Sequence, residues 1–439
     1  MENKLIEGET LFADGKIEEA EECFLSIVEN DSNNKEAYNN LGVIAFQKDD
    51  TERAIDYFTR SLEIDPLYRD AIVNYTNLLR TLNQLHIAVP LLEKIAEINP
   101  SDKDIIQLLE DIRSIPRSRF KIAFICYPGL ESFLGDIVNF LKTKYEVRTC
   151  YTKNKQEIES TVEWADVIWL EWANELTATL TNTVAILENK HVICRLHSYE
   201  AFTPNIHQVK WKKIDHVIFV APHIQKIVLN QVKGLNPEST SVVPNAVDLK
   251  KFTFTQRKPG YNLAYMGHVN YKKGPMLLLH AFLELYRINN KYRLFLIGDF
   301  QEVRYKLYFN QMIREMGLER NIQIEDWTDD IGNWLNDKQY IICTSVLEGH
   351  PVGIMEAMAC GLKPLIHNYV GARKSYPDKY IWNTIPEFIN MVTDDNYDST
   401  EYRKFIETNY SLDMQLKKID KIFSKSESSL LSSAMVTTT

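Results

Sequence analysis

The first hundred residues align with themselves at a period of 34, and this repeat restricts the possible fold more than any other feature of the chain. The positions that recur in register are Gly8, Gly42 and Thr76; Ala20, Ala54 and Ala88; Phe24, Phe58 and Leu92; and Ser32, Pro66 and Pro100. Small residues let paired helices approach closely, bulky residues fill the groove between them, and prolines end each second helix. Since one repeat cannot bury its own apolar face, we predict three stacked helix pairs and a closing helix near 103–114.

The segment EAYNNLGVIAFQ…ERAIDYFTRSLEIDP resembles tetratricopeptide repeats. The resemblance implies an α-solenoid over residues 1–115 whose concave groove binds a partner. Asn40 and Asn74 occupy the same place in successive first helices, where the similar superhelix of O-GlcNAc transferases uses asparagines to hold a peptide backbone. It therefore implies a partner-binding role for Asn40 and Asn74. The alternatives are that both are ordinary polar residues of exposed helices, and that the array is a spacer or a dimerisation module.

Charge and composition exclude several classes of protein. Residues 1–115 hold 24 acidic and 11 basic side chains (11 − 24 = −13), whereas the rest holds 36 and 39 (+3), so neither part has the basic character of a nucleic-acid binder. The apolar runs are far shorter than a membrane span, and the N-terminus does not read as a signal peptide. The six cysteines are scattered without a CxxC pair, which favours buried thiols over disulfides or zinc. We expect a cytoplasmic protein.

After residue 118 the pattern changes to short apolar runs that alternate with amphipathic helices, as in KIAFICY, DVIWLEW, HVICRLH and, later, NLAYMG, RLFLIGD and YIICTS. Unbroken apolar strands between helices are typical of parallel sheets covered on both faces. The predicted fold class is thus an α-solenoid followed by two doubly wound, Rossmann-like α/β domains, at 119–250 and 251–410. We expect a C-terminal helix over 411–425 and a disordered tail over 426–439. Ligands should bind in the cleft at the carboxyl ends of the strands.

The stretch EGHPVGIMEAMACG, which begins at Glu348, places two carboxylates around a turn and a helix start. It follows an apolar strand, so Glu348 lies at a strand end and faces the predicted cleft. Pro351 and Gly353 keep the backbone out of a helix until about Ile354. Free N–H groups at that start suit a phosphate, beside Glu356 in the first turn. This arrangement fits a nucleotide sugar, although similar corners occur in many α/β proteins and a carboxylate pair also serves glycoside hydrolysis.

The anion site at the helix start makes hydrolysis less likely than transfer, and two further motifs support a functional site. YMGHVNYKKG puts Gly267, a short loop and Lys273 at the carboxyl edge of the second sheet, where a lysine can neutralise a diphosphate; alone, such a loop is usually just solvated. VVPNAVDLKKF lies where the chain leaves the first α/β domain. With LFLIGD and SVLEGHPVGIMEAMACGLKPL, these motifs resemble the retaining family-4 glycosyltransferases of the GT-B fold, closely over 241–367 and loosely over 121–235.

This resemblance implies a role for each matching residue of the donor site. Glu348 would contact hydroxyls of the donor sugar, and Glu356 would bind the ribose hydroxyls. Lys273 would bind the diphosphate and stabilise the leaving nucleotide. Backbone amides around Gly353 and Ile354 would complete the phosphate site.

Four other positions are implied less directly. His197 matches a histidine that reaches the donor sugar from the acceptor side, although read alone it is a structural residue. His268 stands where the family has arginine, a loss worth about 10²–10³ in rate unless another group compensates. Gly267 ends the strand before the phosphate loop. Trp327 stands where family members place the nucleotide base, the alternative being a core tryptophan.

The resemblance implies a metal-independent, retaining hexosyltransferase that uses a nucleotide sugar, which we expect to be UDP-linked, with no cofactor. Because a peptide-binding solenoid precedes the enzyme, we favour a protein acceptor recruited through the repeats. One alternative is a polysaccharide or glycolipid assembly enzyme whose repeats dock partners. Another is a non-catalytic adaptor with a degenerate transferase domain. The segment HQVKWKKID, with Trp211 among lysines, is a candidate for peripheral membrane contact, or else a solvated helix face.

Overall fold

The computed structural model describes residues 2–82, 85, 88–114, 118–183 and 186–436. The chain divides into two compact units, Met1–Ser118 and Arg119–Thr439.

The described part of unit 1 forms helices as far as Ser114: α1 (Glu2–Ala13), α2 (Ile17–Asn30), α3 (Lys35–Gln47), α4 (Thr51–Ile64), α5 (Arg69–Thr81), α6 (Val89–Ile98) and α7 (Lys103–Ser114). The three predicted pairs and the closing helix are all present. The second helices α4 and α6 end two residues before Pro66 and Pro100, as the repeat predicts.

The repeated glycines of unit 1 allow the paired helices to touch. A Cβ atom added to Gly8 would lie 2.6 Å from the Phe24 ring, and one added to Gly42 would lie 2.7 Å from the Phe58 ring. Both phenylalanines are fully buried. Glycine and phenylalanine sixteen residues apart therefore form one packing unit, which explains why they recur together.

Unit 2 begins with a six-stranded parallel sheet in the order β2-β1-β3-β4-β5-β6. Its elements are β1 (Ser118–Cys126), α8 (Gly135–Lys142), β2 (Tyr145–Tyr151), α9 (Lys155–Trp164), β3 (Val167–Glu171), α10 (Glu175–Asn182), β4 (His191–Leu196), β5 (His216–Phe219), α11 (Pro222–Gln231) and β6 (Thr240–Val242).

The second sheet is also parallel, in the order β12-β11-β10-β7-β8-β9. Its domain consists of β7 (Asn262–Met266), α12 (Pro275–Ile288), β8 (Arg293–Ile297), α13 (Val303–Glu315), β9 (Ile322–Glu325), α14 (Ile331–Trp334), β10 (Tyr340–Cys343), α15 (Val352–Ala359), β11 (Lys363–His367), α16 (Ala372–Ser375), β12 (Ile381–Trp382), α17 (Ile385–Thr393) and α18 (Ser399–Tyr410). Two doubly wound domains were predicted, and two are present.

The strand orders show where a ligand should bind. The order in which successive strands are added reverses between β1 and β3 in the first sheet, and between β7 and β10 in the second. Loops that leave neighbouring strands on opposite sides of a sheet open a crevice at their carboxyl ends. The loops after β7 and β10 carry the YMGHVNYKKG and EGHPVG motifs, so both lie at the switch point of the second sheet.

The last helix, α19 (Leu412–Val436), returns to the first domain. Leu416, Ile419 and Phe423 are buried in the core of that domain, and the Phe423 ring stacks on Trp169 with a centroid distance of 6.0 Å. The helix starts one residue after the predicted start but continues to Val436. The prediction of a disordered tail from residue 426 is therefore wrong for residues 426–436, which are helical. The serine-rich run is short, and the leucines, alanine and methionine near it favour a helix.

All six cysteines are buried and none is paired, as expected from their spacing. None of the described helices combines the length and the apolarity that a membrane span needs.

Candidate functional site

A cavity of about 650 Å³ lies in unit 2 between its two α/β domains. Both domains and the segment that joins them contribute to its wall, among others through Ser132, Phe133, Asp136, Arg195, Asn245, Asp248, Lys251, Gly267, His268, Lys273, Trp327, Gly353, Ile354 and Glu356. The volume is in the range of sites for small-molecule ligands. Seven of the predicted donor-site residues line this cavity.

The loop after β7 is held in place by the loop after β10. Gly274 has a left-handed backbone with φ of 60°, and a Cβ atom there would lie 2.2 Å from the Thr344 carbonyl oxygen. The Thr344 hydroxyl donates a hydrogen bond to the Lys273 carbonyl at 2.8 Å. Only glycine fits at 274, so this contact fixes the backbone that carries Lys273 at the cavity wall.

Lys273 forms an ion pair with Glu348, with 2.5 Å between Nζ and Oε1. The Ser345 hydroxyl also donates to Glu348, at 2.6 Å. Burial alone would lower the pKa of Lys273, but the charge of Glu348 outweighs it and raises the pKa above its ordinary value. Lys273 is therefore positively charged and lines the cavity, where it can bind a phosphate group of the donor. Glu348, by contrast, is not among the residues that line the cavity.

The helix that follows the turn starts earlier than the sequence predicted. Helix α15 begins at Val352, directly after Pro351, rather than at about Ile354. Gly353 is its second residue, and a Cβ atom there would approach the Met266 Cβ to 3.2 Å. The first N–H groups of a helix have no partner within it and favour an anion. Of the two predicted amides, however, the Ile354 N–H already donates to the Pro351 carbonyl at 3.2 Å. The proline restricts only the residue before it, which explains the error in the predicted start.

Glu356 therefore falls in the second turn of α15, not in the first. It lines the cavity, and its side chain is partly buried. Burial raises the pKa of Glu356 to about 7, while the nearby Lys251 counteracts part of this effect. A carboxylate so placed changes its charge near neutral pH.

His268 and Trp327, both predicted to bind the nucleotide sugar, are accessible at the cavity. His268 is exposed and lines the cavity, next to Gly267. Trp327 lies between β9 and α14 with 53% of its surface exposed, again at the cavity. A core tryptophan, the alternative interpretation of Trp327, is thus wrong, and an indole face is available for stacking.

His197 does not line the cavity. It is 5% exposed, and its Nε2 atom lies 2.7 Å from the Glu171 carboxylate. Asn40 and Asn74 belong to unit 1, where the Asn40 amide donates to Glu9 at 3.4 Å and the Asn74 amide donates to Asn39 at 3.0 Å. The two asparagines are therefore already engaged in side-chain hydrogen bonds.

Sequence reasoning missed several residues of the cavity. Arg195, 1% exposed, donates to the Asn245 side chain at 2.6 Å, and both line the cavity. Asp136 also lines it, and burial together with Asp248 raises the pKa of Asp136. The motif VVPNAVDLKKF was noted as a landmark, but nothing in it indicated that Asn245 would meet an arginine fifty residues earlier. Within the described part of the chain, no three metal-ligating side chains are grouped closely enough to hold a metal ion.

Comparisons with known proteins agree with both units. Residues 248–381 match the family described as "Glycosyl transferases group 1", and residues 7–69 match the tetratricopeptide repeat family. The family resemblance and the fold class predicted from the sequence are confirmed. The chain combines a tetratricopeptide repeat unit with a unit of the GT-B fold.

Among curated proteins, the Escherichia coli UDP-Gal:alpha-D-GlcNAc-diphosphoundecaprenol alpha-1,3-galactosyltransferase is 28% identical over 214 residues, which are 43% of this chain and 54% of that protein. The Xanthomonas campestris GDP-mannose:cellobiosyl-diphosphopolyprenol alpha-mannosyltransferase is 23% identical over 165 residues, 37% of this chain and 39% of that one. The chain thus spans about half or less of the length of these relatives.

Solved structures share the fold. The Anabaena HepE protein in complex with UDP and glucose superposes with a TM-score of 0.57 at 16% identity, over 70% of this chain and 100% of that one. The sucrose-phosphate synthase of Thermosynechococcus elongatus gives 0.58 at 14% identity, over 71% and 100%.

Proposed function

We propose that unit 2 is a glycosyltransferase that transfers a hexose from a nucleotide sugar, most simply a UDP-sugar, to an acceptor. One observation carries this proposal: Lys273, the start of α15, Glu356 and Trp327 line a single cavity at a topological switch point. They supply a cation and amides for the diphosphate, an acceptor for ribose hydroxyls and a stacking face for the base. UDP is favoured because the names of a relative and of a structural neighbour include it.

The mechanism that we propose is retaining and needs no metal. The acceptor hydroxyl attacks the anomeric carbon from the face of the leaving group, and the bond between that carbon and the diphosphate oxygen breaks. The proton of the hydroxyl passes to the departing phosphate oxygen, so the enzyme needs no base of its own. Lys273 and the Gly353 amide stabilise the charge that develops on the diphosphate. The Ile354 N–H could join them only by giving up its bond to the Pro351 carbonyl.

Within this mechanism the two glutamates have different roles. Glu356, at the cavity wall, binds the ribose. Glu348 fixes Lys273 through their 2.5 Å contact and reaches the donor sugar only if the pair opens. His268 replaces the arginine of the family, and Lys272 and Arg195 are nearby sources of positive charge.

Turnover of nucleotide sugars by the full chain tests the proposal. The protein is incubated with UDP-, GDP- and ADP-sugars in EDTA, and release of the nucleotide is followed by chromatography. We expect slow hydrolysis of one donor class, lost in Lys273→Ala and Glu356→Ala, and an α-configured product by NMR. Failure to release any nucleotide, or dependence on added Mn²⁺ or Mg²⁺, would contradict the enzyme as proposed.

For the acceptor, we propose a protein that the repeats recruit. The support is the groove of first helices, where Glu9, Glu36 and Asp70 all lie near Tyr68 and where Asn40 and Asn74 would have to exchange their present side-chain hydrogen bonds for bonds to the partner. This groove is acidic, as is unit 1 as a whole, so a basic segment of the partner fits it best.

A second candidate is favoured by the names of the relatives. Two curated relatives act on sugars linked to a diphosphate-bearing polyprenol, so a glycolipid assembly enzyme is the alternative. The double variant Asn40→Ala/Asn74→Ala separates the two. A protein glycosylator keeps donor hydrolysis but loses transfer to its protein, whereas an assembly enzyme still modifies a small isolated acceptor. Glu52→Ala, on an exposed position of a second helix, is the matched control.

A further inference from the structure

The turn between β10 and α15, residues 344–351, packs against the first α/β domain. A Cβ atom added to Gly349 would lie 3.0 Å from the Ser198 Cβ and 3.2 Å from the Val220 Cγ2, and both of these residues belong to the first domain. Distances this short are tighter than most Cβ contacts, so the glycine allows the two domains to approach closely here. The turn that carries Glu348 is therefore part of the interface between the two domains.

His223, in the first turn of α11, forms a hydrogen bond across this interface. Its Nε2 atom lies 2.7 Å from the carbonyl oxygen of Glu348, a residue 125 positions further along the chain. A carbonyl oxygen can only accept, so Nε2 carries a proton and donates it. This is true of the neutral and of the charged ring, because a protonated imidazole keeps the same N–H group. The first domain therefore donates directly to the backbone of Glu348.

The ring of His223 is also confined at its other nitrogen. Gly371, in the loop after β11, has a left-handed backbone with φ of 97°, and a Cβ atom there would lie 2.2 Å from Nδ1 of His223. Only glycine fits at this position, because any other side chain would overlap the imidazole and strain the backbone. The imidazole therefore fills the space between Glu348 and the loop after β11.

The part of the turn that precedes Glu348 is held within the second domain. The Val346 N–H donates to the Lys272 carbonyl at 2.8 Å, and the Val346 carbonyl accepts the Val370 N–H at 3.1 Å. The next peptide units contact the first domain instead, through the Glu348 carbonyl and Gly349. The backbone of Glu348 thus lies where contacts within the second domain give way to contacts with the first.

The position of this backbone determines how Glu348 meets Lys273. Their side chains are 2.5 Å apart, and the attraction between two charges weakens as the distance between them grows. Lys273 lines the cavity, whereas His223 is not among the residues that do. Any effect of His223 on a ligand in the cavity must therefore pass through Glu348 to Lys273.

We propose that His223 is a positioning residue of the donor site: it holds the backbone of Glu348 from the first domain, and the Glu348 carboxylate in turn holds Lys273 where a donor phosphate binds. This inference rests on the proposed function. It makes nucleotide binding depend on the arrangement of the two α/β domains, because the hydrogen bond forms only while α11 lies against the turn.

Nucleotide affinity in variants of the full chain tests this proposal. UDP, GDP and ADP are titrated calorimetrically into the wild type, His223→Leu and His223→Gln. Leucine is of similar size but has no donor, whereas the side-chain amide of glutamine can replace the Nε2–H group. We expect His223→Leu to weaken binding about three- to tenfold, the effect of one neutral hydrogen bond, and His223→Gln to recover most of this loss.

A double-mutant cycle with Glu348→Ala separates positioning from a general loss of stability. Glu348→Ala removes the carboxylate but keeps the carbonyl that His223 binds. Because His223 acts through that carboxylate, adding His223→Leu to Glu348→Ala should change the affinity by less than about twofold. The matched control is His216→Leu, since His216 is a half-buried histidine of the same domain whose Nε2 atom lies 2.8 Å from the Ser241 hydroxyl, away from the cavity. It should leave the affinity unchanged.

Gly371→Ala disturbs the same contact without replacing the histidine. Its Cβ would displace the His223 ring, so we expect a loss of affinity similar to that of His223→Leu. This variant supplies the perturbation if His223→Leu does not fold.

The possible results distinguish this inference from the proposed function. Wild-type affinity in His223→Leu, an equal loss in His223→Gln or His216→Leu, or an undiminished effect of His223→Leu in the Glu348→Ala background overturns the positioning role and leaves the proposed function intact. If the wild type binds none of the three nucleotides, the proposed function is wrong, and the positioning role is wrong with it.

Discussion

Replacing Lys273 by methionine removes the cation that pairs with Glu348 and leaves that carboxylate in a site where its side chain is 8% exposed. At 2.5 Å and an effective dielectric constant of 20, the gross attraction is about 7 kcal/mol, most of which offsets desolvation. Breaking a buried pair costs about 3–5 kcal/mol. The Lys273 side chain is 20% exposed and the Ser345 hydroxyl remains at 2.6 Å, so we expect about 2–3 kcal/mol for Lys273→Met.

The double variant Lys273→Met/Glu348→Gln separates stability from binding. It removes both charges, so its stability should return to within about 1 kcal/mol of the wild type, whereas each single variant is destabilised. Thermal unfolding followed by tryptophan fluorescence is the assay, because all seven tryptophans lie in unit 2. The stabilisation that a UDP-sugar gives the wild type should be missing in both variants that lack Lys273 and only reduced in Glu348→Gln, which keeps the cation but not the carboxylate that fixes it.

Two results would refute this reasoning. Single variants as stable as the wild type would mean that the pair contributes nothing to the fold. A double variant that still gains stability from the nucleotide sugar would mean that Lys273 is not part of the donor site.

Three further predictions concern other parts of the chain. Nucleotide binding should weaken about tenfold between pH 8 and pH 6, because the Glu356 pKa of about 7 lets the carboxylate become protonated in that range. Calorimetry measures the affinity at each pH. A Glu356→Gln variant whose affinity depends on pH as steeply as that of the wild type would contradict this prediction. Trp327→Ala should weaken nucleotide affinity about 5- to 150-fold, because the lost stacking is worth about 1–3 kcal/mol. Tyr308 is an exposed aromatic residue outside the cavity wall, so Tyr308→Ala should leave the affinity unchanged. Equal losses of affinity in the two variants would argue against stacking on Trp327. Gly42→Ala should lower the free energy of unfolding of unit 1 by about 1–3 kcal/mol, because the new Cβ would lie 2.7 Å from the Phe58 ring. This loss is expected although alanine normally favours a helix. A higher unfolding midpoint by circular dichroism would show that the two helices can separate without cost.

The parts of the fold that depend on local spacing could be predicted from the sequence. The 34-residue period predicted the helix pairs. Its recurring small and bulky residues predicted their close packing, which the Gly8–Phe24 contact confirms. The apolar strands and the turns that flank them could be predicted from the sequence in the same way. The cavity also followed from topology, since the carboxyl ends of the strands at a switch point carry the ligand.

The parts that depend on contacts between distant segments could not be predicted. Lys273 and Glu348 are 75 residues apart, and only the register of β7 against β10 brings them together. Glu171 and Arg195 lie inside apolar strands, where a charged residue carries no signal of its partner. The return of α19 to the first domain likewise depends on which core has room for Phe423. Trp327 was ambiguous because a tryptophan near a strand end suits a core and a ligand site equally well.

The most direct test of the central claim is calorimetric titration of UDP, GDP and ADP into the full chain and into its Glu356→Ala variant. We expect one of these nucleotides to bind the wild type at one site per chain and to lose measurable binding in the variant. If none of the three binds at millimolar concentration, or if the variant binds as tightly as the wild type, the cavity between the two α/β domains is not the nucleotide-sugar site.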